Sequence, residues 1–150
     1  MQINHKTFTY ETYSTMNAEV KTNARRPWGS YILSGLAILF LLFDSIIKVL
    51  KLEVAVQGTK ELGYPESQVV GIGLTALTCT ILYAIPKTSV LGAILLSGYL
   101  GGAIATHVRL ENPLFSHVLF PVYLAIFIWG GLYLRDHSLR LLIPLRHQVS

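Results

Sequence analysis

Residues 112–134, NPLFSHVLFPVYLAIFIWGGLYL, form the longest stretch of the chain without Asp, Glu, Lys or Arg. A membrane-spanning helix needs about 20 mostly apolar residues, whereas a strand of a membrane barrel needs about 10. A helix also satisfies its backbone hydrogen bonds internally, as the interior of a bilayer requires. This stretch is therefore predicted to be a membrane-spanning helix.

Three further stretches upstream have the same character. They are residues 27–49, interrupted only by Asp44 and Lys48, and the uncharged stretches 67–86 and 88–108. The chain is 52% hydrophobic and 13% charged, whereas soluble domains carry about 25% charged residues. So little charge cannot cover the surface of a small soluble protein. The sequence therefore predicts an all-α, integral membrane four-helix bundle.

The segments between and beside the spans complete the predicted organisation. A polar N-terminal tail covers residues 1–26, the membrane domain covers 27–135, and a basic C-terminal tail covers 136–150. The second, third and fourth spans are joined by short turns, which predicts that they are antiparallel neighbours. The long connection after the first span contains residues 53–62, which are predicted to form a short surface helix. Gly63 suits the position after the end of that helix.

The Lys and Arg residues near the span ends predict an orientation, because they are enriched in cytoplasmic loops. The smaller group is Lys51, Lys60 and Arg109. The larger group, on the other side, is Lys21, Arg25, Arg26, Lys87, Arg135, Arg140 and Arg146. We therefore expect both termini in the cytoplasm. Trp28 and Tyr31 are predicted to form an aromatic belt at that interface, and Tyr83 and Tyr133 are predicted to lie at a comparable depth.

Several kinds of partner and site are not expected. The net charge of +4 is spread over tails and loops without a basic stripe between aromatic residues, so no nucleic-acid partner is predicted. The single cysteine, Cys79, excludes an internal disulfide and a multi-cysteine metal site, and its apolar surroundings predict a buried thiol. Asp44 with His107 and His117 is too small a set to predict a metal site.

Small residues recur at a spacing of four along the third span. Gly98 is followed by Gly102, and Gly101 is followed by Ala105. This spacing lets two helix backbones approach closely in a membrane. We interpret it as close packing inside the bundle, with the third span at the centre. The alternative is a dimer face, which leaves a homo-oligomer open.

Ionisable side chains are concentrated at one predicted depth. Asp44 and Lys48 share a face of the first span, and each charge costs about 2.5–3.5 kcal/mol at mid-membrane unless it is paired or faces a polar cavity. With the predicted topology they meet, in the outer half of the membrane, His107, Arg109, Glu111 and His117. This cluster could bind a quinone headgroup or transfer protons, because histidine exchanges protons near neutral pH. The alternatives are an ion pair that only lowers its own insertion cost and ordinary interfacial side chains.

The third span also carries the most specific sequence pattern, GAILLSGYLGGAIATHVR at residues 92–109. Together with Asp44 and Lys48, LGYP at 62–65 and IPKT at 85–88, it resembles the DoxX-like family over residues 30–135. The resemblance implies a four-helix bundle in the bacterial inner membrane. The wider family includes a subunit of a thiosulfate:quinone oxidoreductase and membrane partners of redox enzymes. It assigns no catalytic residues to this chain.

Two functions from different classes are compatible with these features. The preferred one is an accessory or anchoring subunit of a redox enzyme, with a quinone as candidate ligand and no covalently bound cofactor. The other is a small-molecule carrier or permeability protein. Transport favours discontinuous helices and an internal repeat, and no repeat is visible between the halves. The sequence shows no independent catalytic motif, so enzymatic activity is left open.

Overall fold

The computed structural model describes residues 28–136 and 139–140. The predicted N-terminal tail and most of the predicted C-terminal tail lie outside these residues. In the described part, four helical segments are long and apolar enough to cross a membrane: Trp28–Val49, Glu66–Ala84, Ser89–Arg109 and Leu114–Arg135. These residues form helices and turns without strands. The predicted fold class is confirmed, and the protein is an integral membrane protein in contact with the lipid bilayer.

The helices follow one another in a simple order. Helix α1 spans Trp28–Val49 and the short helix α2 spans Glu53–Glu61. A 3₁₀ turn, Glu66–Gln68, leads into α3, Val69–Ala84, and α4 spans Ser89–Arg109. A π-helical turn, Leu114–Val118, leads into α5, Phe120–Arg135. The short helix that the sequence predicts in the first connection is therefore present as α2.

The four spanning helices are arranged in a ring. Helix α1 packs against α3 and α5, and α4 packs against the same two helices. Helices α1 and α4 consequently lie diagonally opposite each other. The predicted antiparallel neighbours are confirmed, since α3 packs on α4 and α4 packs on α5. The prediction that the third span is central is wrong, because no helix of the ring has more than two spanning neighbours.

The closest backbone contacts between helices lie at other glycines than Gly98, Gly101 and Gly102. A Cβ on Gly73 would lie 3.1 Å from the carbonyl oxygen of Ser45, which brings α3 against α1. Gly131 brings α5 against α1, since a Cβ there would lie 2.9 Å from the backbone nitrogen of Ser34. Gly92 lies directly against the backbone of Tyr83 and joins α4 to α3. Glycine is required at these positions because a side chain would separate the helices.

The predicted packing role of Gly98, Gly101, Gly102 and Ala105 inside the bundle is wrong. No atom lies within 4 Å of a Cβ position at any of the three glycines, and all four residues are exposed. Helix α4 is rotated about its axis so that its buried face carries Gly92, Ala93, Leu96 and Leu100 instead. A dimer face remains a prediction that a single chain does not test.

The core contains a hydrogen-bonded tyrosine. Tyr83 is fully buried. Its hydroxyl donates to the carbonyl oxygen of Ile128 at 2.9 Å and therefore accepts from the hydroxyl of Ser34, also at 2.9 Å. The guanidinium of Arg135 lies 5.2 Å from the centre of the Tyr83 ring. The sequence predicts only the depth of this tyrosine, and the structure adds that its hydroxyl finds partners inside the bundle.

Two further predictions concern exposed and buried side chains. Trp28 is 84% exposed and Tyr31 is 47% exposed, so both are accessible to the surroundings of the bundle, and the interfacial belt stays a prediction. Cys79 is a buried free thiol, which confirms that prediction. Free cysteine commonly packs as a small apolar side chain, and here it belongs to the core that joins the spanning helices.

Three helices end in the same way at the end of the bundle that holds α2, called the α2 end from here on. After α2, the backbone N–H of Tyr64 donates to the carbonyl of Thr59, and Gly63 has a φ of 81°. This confirms the prediction for Gly63. Helices α1 and α4 end with equivalent hydrogen bonds, but the left-handed residues there are Lys51 and Glu111, with φ of 51° and 54°. Both connections therefore change direction sharply at the α2 end.

Candidate functional site

A cavity of about 740 Å³ lies at the α2 end. All four spanning helices contribute to its wall, and α2 covers it. The wall is mostly apolar, with Phe40, Ile72 and Leu124 among its residues, and the polar side chains are Asp44, Lys48, Thr59, Glu61, Tyr64, Tyr99, Thr106, His107, Asn112 and His117. Small-molecule sites are typically apolar cavities of about 300–1,000 Å³ with a few polar groups that orient the ligand.

The ion pair predicted from the sequence forms one part of this wall. The Lys48 ammonium lies 2.5 Å from the Asp44 carboxylate, one helical turn away on α1. The two side chains keep 18% and 27% of their exposure, respectively, and both line the cavity. An acid placed four residues before a base is the favourable order on a helix. The pair therefore adds polar surface to the cavity without adding net charge.

The two histidines meet at the same end of the cavity. The ring centres of His107 and His117 are 5.7 Å apart, and the ring planes are inclined at 65° in an edge-to-face arrangement. The Nδ1 atom of His107 lies 2.9 Å from the Asn112 amide nitrogen. Because an amide N–H can only donate, Nδ1 of a neutral His107 accepts, and its proton resides on Nε2. Asn112 thus fixes the orientation of a ring that can donate a hydrogen bond into the cavity.

A short chain of hydroxyl groups connects the segment after α2 to α4. Thr106 donates to the carbonyl oxygen of Gly102 at 2.9 Å, so its oxygen accepts from the hydroxyl of Tyr64 at 2.8 Å. Both hydroxyl-bearing residues line the cavity. This contact joins residues that are 42 positions apart in the sequence, and it ties the cover of the cavity to one of its walls.

Arg109 and Glu111 do not line the cavity, unlike the other residues of the predicted cluster. The Arg109 guanidinium donates to the carbonyl oxygen of Leu62 at 3.1 Å and so holds the end of α2 to the end of α4. Glu111 is exposed in the turn after α4. Arg109 is the last residue of α4 and Glu111 lies in the turn after it. Both are close to His107 in sequence, which is why a prediction from depth alone grouped them with the histidines.

Helix α2, the cover of the cavity, also makes an ion pair that is exposed to solvent. Lys60 on α2 forms an ion pair with Glu66 at 2.9 Å. The hydrogen bond to Glu66 and the negative charge of that carboxylate raise the pKa of Lys60 above its ordinary value. Exposed pairs contribute little to stability. The cover is consequently held by its buried face, Ala55, Val56 and Thr59, and by the hydrogen bonds of Arg109 and Tyr64.

Tyr99, Tyr64, Thr106 and Asn112 line the cavity but were not predicted as site residues. Tyr99 and Thr106 in an apolar span resemble ordinary packing residues, and Tyr64 and Asn112 resemble turn residues. A usable signal was present for Tyr99 alone, since it stands between the glycines of the third span. Among the described residues, no group of three or more His, Cys, Asp or Glu side chains could hold a metal ion.

A comparison with family models matches residues 32–131 to the DoxX-like family. The chain belongs to the DoxX-like family. The matched region begins in α1 and ends in α5, so it contains all the residues that line the cavity. Comparison with curated proteins and with solved structures gives no significant match. The family confirms the resemblance seen in the sequence and is consistent with a small membrane protein.

Proposed function

We propose that this protein is an accessory or anchoring subunit of a membrane redox system and that its cavity binds the headgroup of a quinone. A quinone ring is planar, uncharged and apolar at its faces, and its carbonyl oxygens accept hydrogen bonds. Its binding site therefore needs an apolar slot with a few donors. The redox chemistry itself belongs, in this proposal, to a partner enzyme.

The observation that supports the proposal most strongly is the composition of the cavity wall. The cavity of about 740 Å³ is apolar over most of its wall, and its charged pair, Asp44 and Lys48, is internally neutralised. His107, held by Asn112, offers a hydrogen-bond donor on a ring type that can bind and release a proton. A neutral ring with oxygen acceptors fits this combination better than an ion does.

A carrier function is the second candidate, and one feature favours it. The cover α2 is linked to α4 by few polar contacts, so the cavity could open at this end. A carrier also needs access from the opposite end, where Tyr83, Ser34 and Leu132 fill the centre of the bundle. The accessory function therefore remains the preferred proposal.

The orientation in a bacterial inner membrane is part of the proposal, with both termini in the cytoplasm and α2 outside. In a Cys79→Ala background, single cysteines at positions 87 and 60 should react with a membrane-impermeant maleimide from opposite sides. We expect labelling of position 60 in intact cells and of position 87 only after the cells are opened. Labelling of position 87 in intact cells would contradict the proposed orientation.

The proposed ligand can be tested by purification of the full chain from its membrane in a mild detergent. We expect mass spectrometry to detect quinone that remains bound, together with a redox enzyme that co-purifies. Replacement of His107 or His117 by Ala should lower the bound quinone severalfold, because each change removes a polar group from the cavity wall.

A suitable control is Glu111→Gln, since Glu111 lies in the same region but does not line the cavity. This variant should retain wild-type amounts of quinone. If the wild-type protein carries no quinone above the level found in unrelated membrane proteins from the same preparation, the proposed function is wrong.

A further inference from the structure

The part of the cavity wall formed by α4 includes two glycines, so the helix backbone itself borders the cavity there. Gly98 and Gly102 line the cavity, and at neither residue would a Cβ meet any atom within 4 Å. Tyr99 lies between them in the sequence and lines the cavity as well. Glycine allows a ligand to approach the backbone closely, and an aromatic ring favours a flat neighbour. This part of the wall therefore suits a planar molecule.

The hydroxyl of Tyr99 differs from the other tyrosine hydroxyls around it. The hydroxyls of Tyr64 and Tyr83 are hydrogen-bonded to the protein. In the part of the chain that the structure describes, no hydrogen bond joins the Tyr99 hydroxyl to a protein atom, and this hydroxyl is not fully buried. A donor in largely apolar surroundings gains most when a ligand supplies the acceptor.

The position of Tyr99 separates it from the histidines. His107 lies eight positions after Tyr99 on α4, which corresponds to about 12 Å along the helix axis. Asp44 lies five positions before the end of α1 and lines the same cavity as Tyr99. The polar groups of the cavity therefore occupy two levels, one with the histidines and Asn112 near the α2 end and a deeper one with Asp44 and Tyr99.

We infer that Gly98, Tyr99 and Gly102 form a slot for a planar, uncharged ring and that Tyr99 donates a hydrogen bond to a carbonyl or hydroxyl oxygen of that ring. The inference rests on the proposed function and specifies which residues select the ring. An uncharged ring suits this level because the carboxylate of Asp44 is already paired with Lys48 and so offers no free counterion to a charged ring.

The variant Tyr99→Phe tests the role of the hydroxyl, since phenylalanine keeps the ring. The probe is a short-chain benzoquinone, titrated into the purified full chain in detergent. We expect its affinity to fall about 5- to 10-fold, which is the usual effect of losing one net hydrogen bond. The affinity for an alkylbenzene with the same side chain should not change, because that ring has no oxygen to accept the bond.

The glycines provide matched variants for the slot. Gly102→Leu places a side chain in the space that the ring would occupy, and it should reduce binding of both probes more than 10-fold. Gly101→Leu adds the same side chain one residue away, outside the cavity wall, and should leave both affinities unchanged. Thermal melting of each variant shows whether the bundle remains folded.

The possible outcomes separate the two proposals. Wild-type benzoquinone affinity in Tyr99→Phe, or unaltered binding in a folded Gly102→Leu, overturns the slot and leaves the proposed function standing. A folded wild-type protein that does not bind the benzoquinone overturns the proposed function and the slot together. A loss of alkylbenzene binding in Tyr99→Phe equal to the loss for benzoquinone also overturns the role of the hydroxyl.

Discussion

Gly92→Leu is expected to prevent formation of a stable bundle, whereas Gly101→Leu is expected to leave stability at or slightly above the wild-type value. A Cβ at position 92 would lie 2.5 Å from the Cα atom of Tyr83, and backbone cannot move aside without separating α4 from α3. Overpacking of a core typically costs about 1–3 kcal/mol. A clash with backbone at a helix crossing should exceed this range.

Position 101 provides the matched comparison on the same helix. No atom lies within 4 Å of a Cβ there, and replacement of glycine in a helix removes a penalty of about 1 kcal/mol. Thermal unfolding in one detergent, followed by circular dichroism, measures both effects. If Gly92→Leu cannot be purified, Gly92→Ala and Gly101→Ala make the same comparison with a smaller side chain. Equal melting temperatures for the two positions would show that α3 and α4 are not in backbone contact at Gly92.

Most of the fold could be predicted because the bilayer imposes it. Span length and lack of charge predict helices at residues 112–134 and in the three upstream stretches, and short turns force neighbours to be antiparallel. Gly63 could be recognised because a residue with positive φ is needed after a helix end. These features depend on local chemistry, which a single sequence contains.

The rotation of each helix could not be predicted in the same way. Lipid is as apolar as a leucine side chain, so an apolar residue can face either lipid or another helix. The spacing of Gly98 and Gly102 therefore shows that one face of α4 carries small residues. It does not show whether lipid, a ligand or another helix lies against that face. Tyr83 illustrates the same difficulty, since its burial depends on partners from α1 and α5 that are distant in sequence.

In the candidate site, contacts between residues close in sequence could be predicted, whereas contacts between distant residues could not. The pairing of Asp44 with Lys48 follows from their spacing on one helix. The meeting of His107 with His117 follows from the short turn between α4 and the fourth span. The contact between Tyr64 and Thr106 joins distant segments and has no sequence signal. Tyr99 was missed because an aromatic residue in an apolar span most often belongs to the core.

Removal of one partner of the Asp44–Lys48 pair is expected to destabilise the protein strongly. In Asp44→Leu the Lys48 ammonium loses its only ion pair among the described residues, and in Lys48→Leu the carboxylate is left alone. Breaking a buried pair costs about 3–5 kcal/mol. Because both side chains retain part of their exposure, we expect about 2–3 kcal/mol in each single variant. Unfolding in detergent at constant pH measures the loss.

The double variant Asp44→Leu with Lys48→Leu separates the structural role of the pair from a role in binding. It leaves no stranded charge, and replacement of a buried pair by apolar residues is often neutral or stabilising. Its stability should therefore return to the wild-type value or exceed it, while affinity for a short-chain benzoquinone falls because two polar side chains of the cavity wall are lost. The decisive comparison is stability against binding in one folded protein. Recovery of stability together with full binding would mean that the pair only lowers its own cost of insertion, and Asp44 and Lys48 would then have no place in the site.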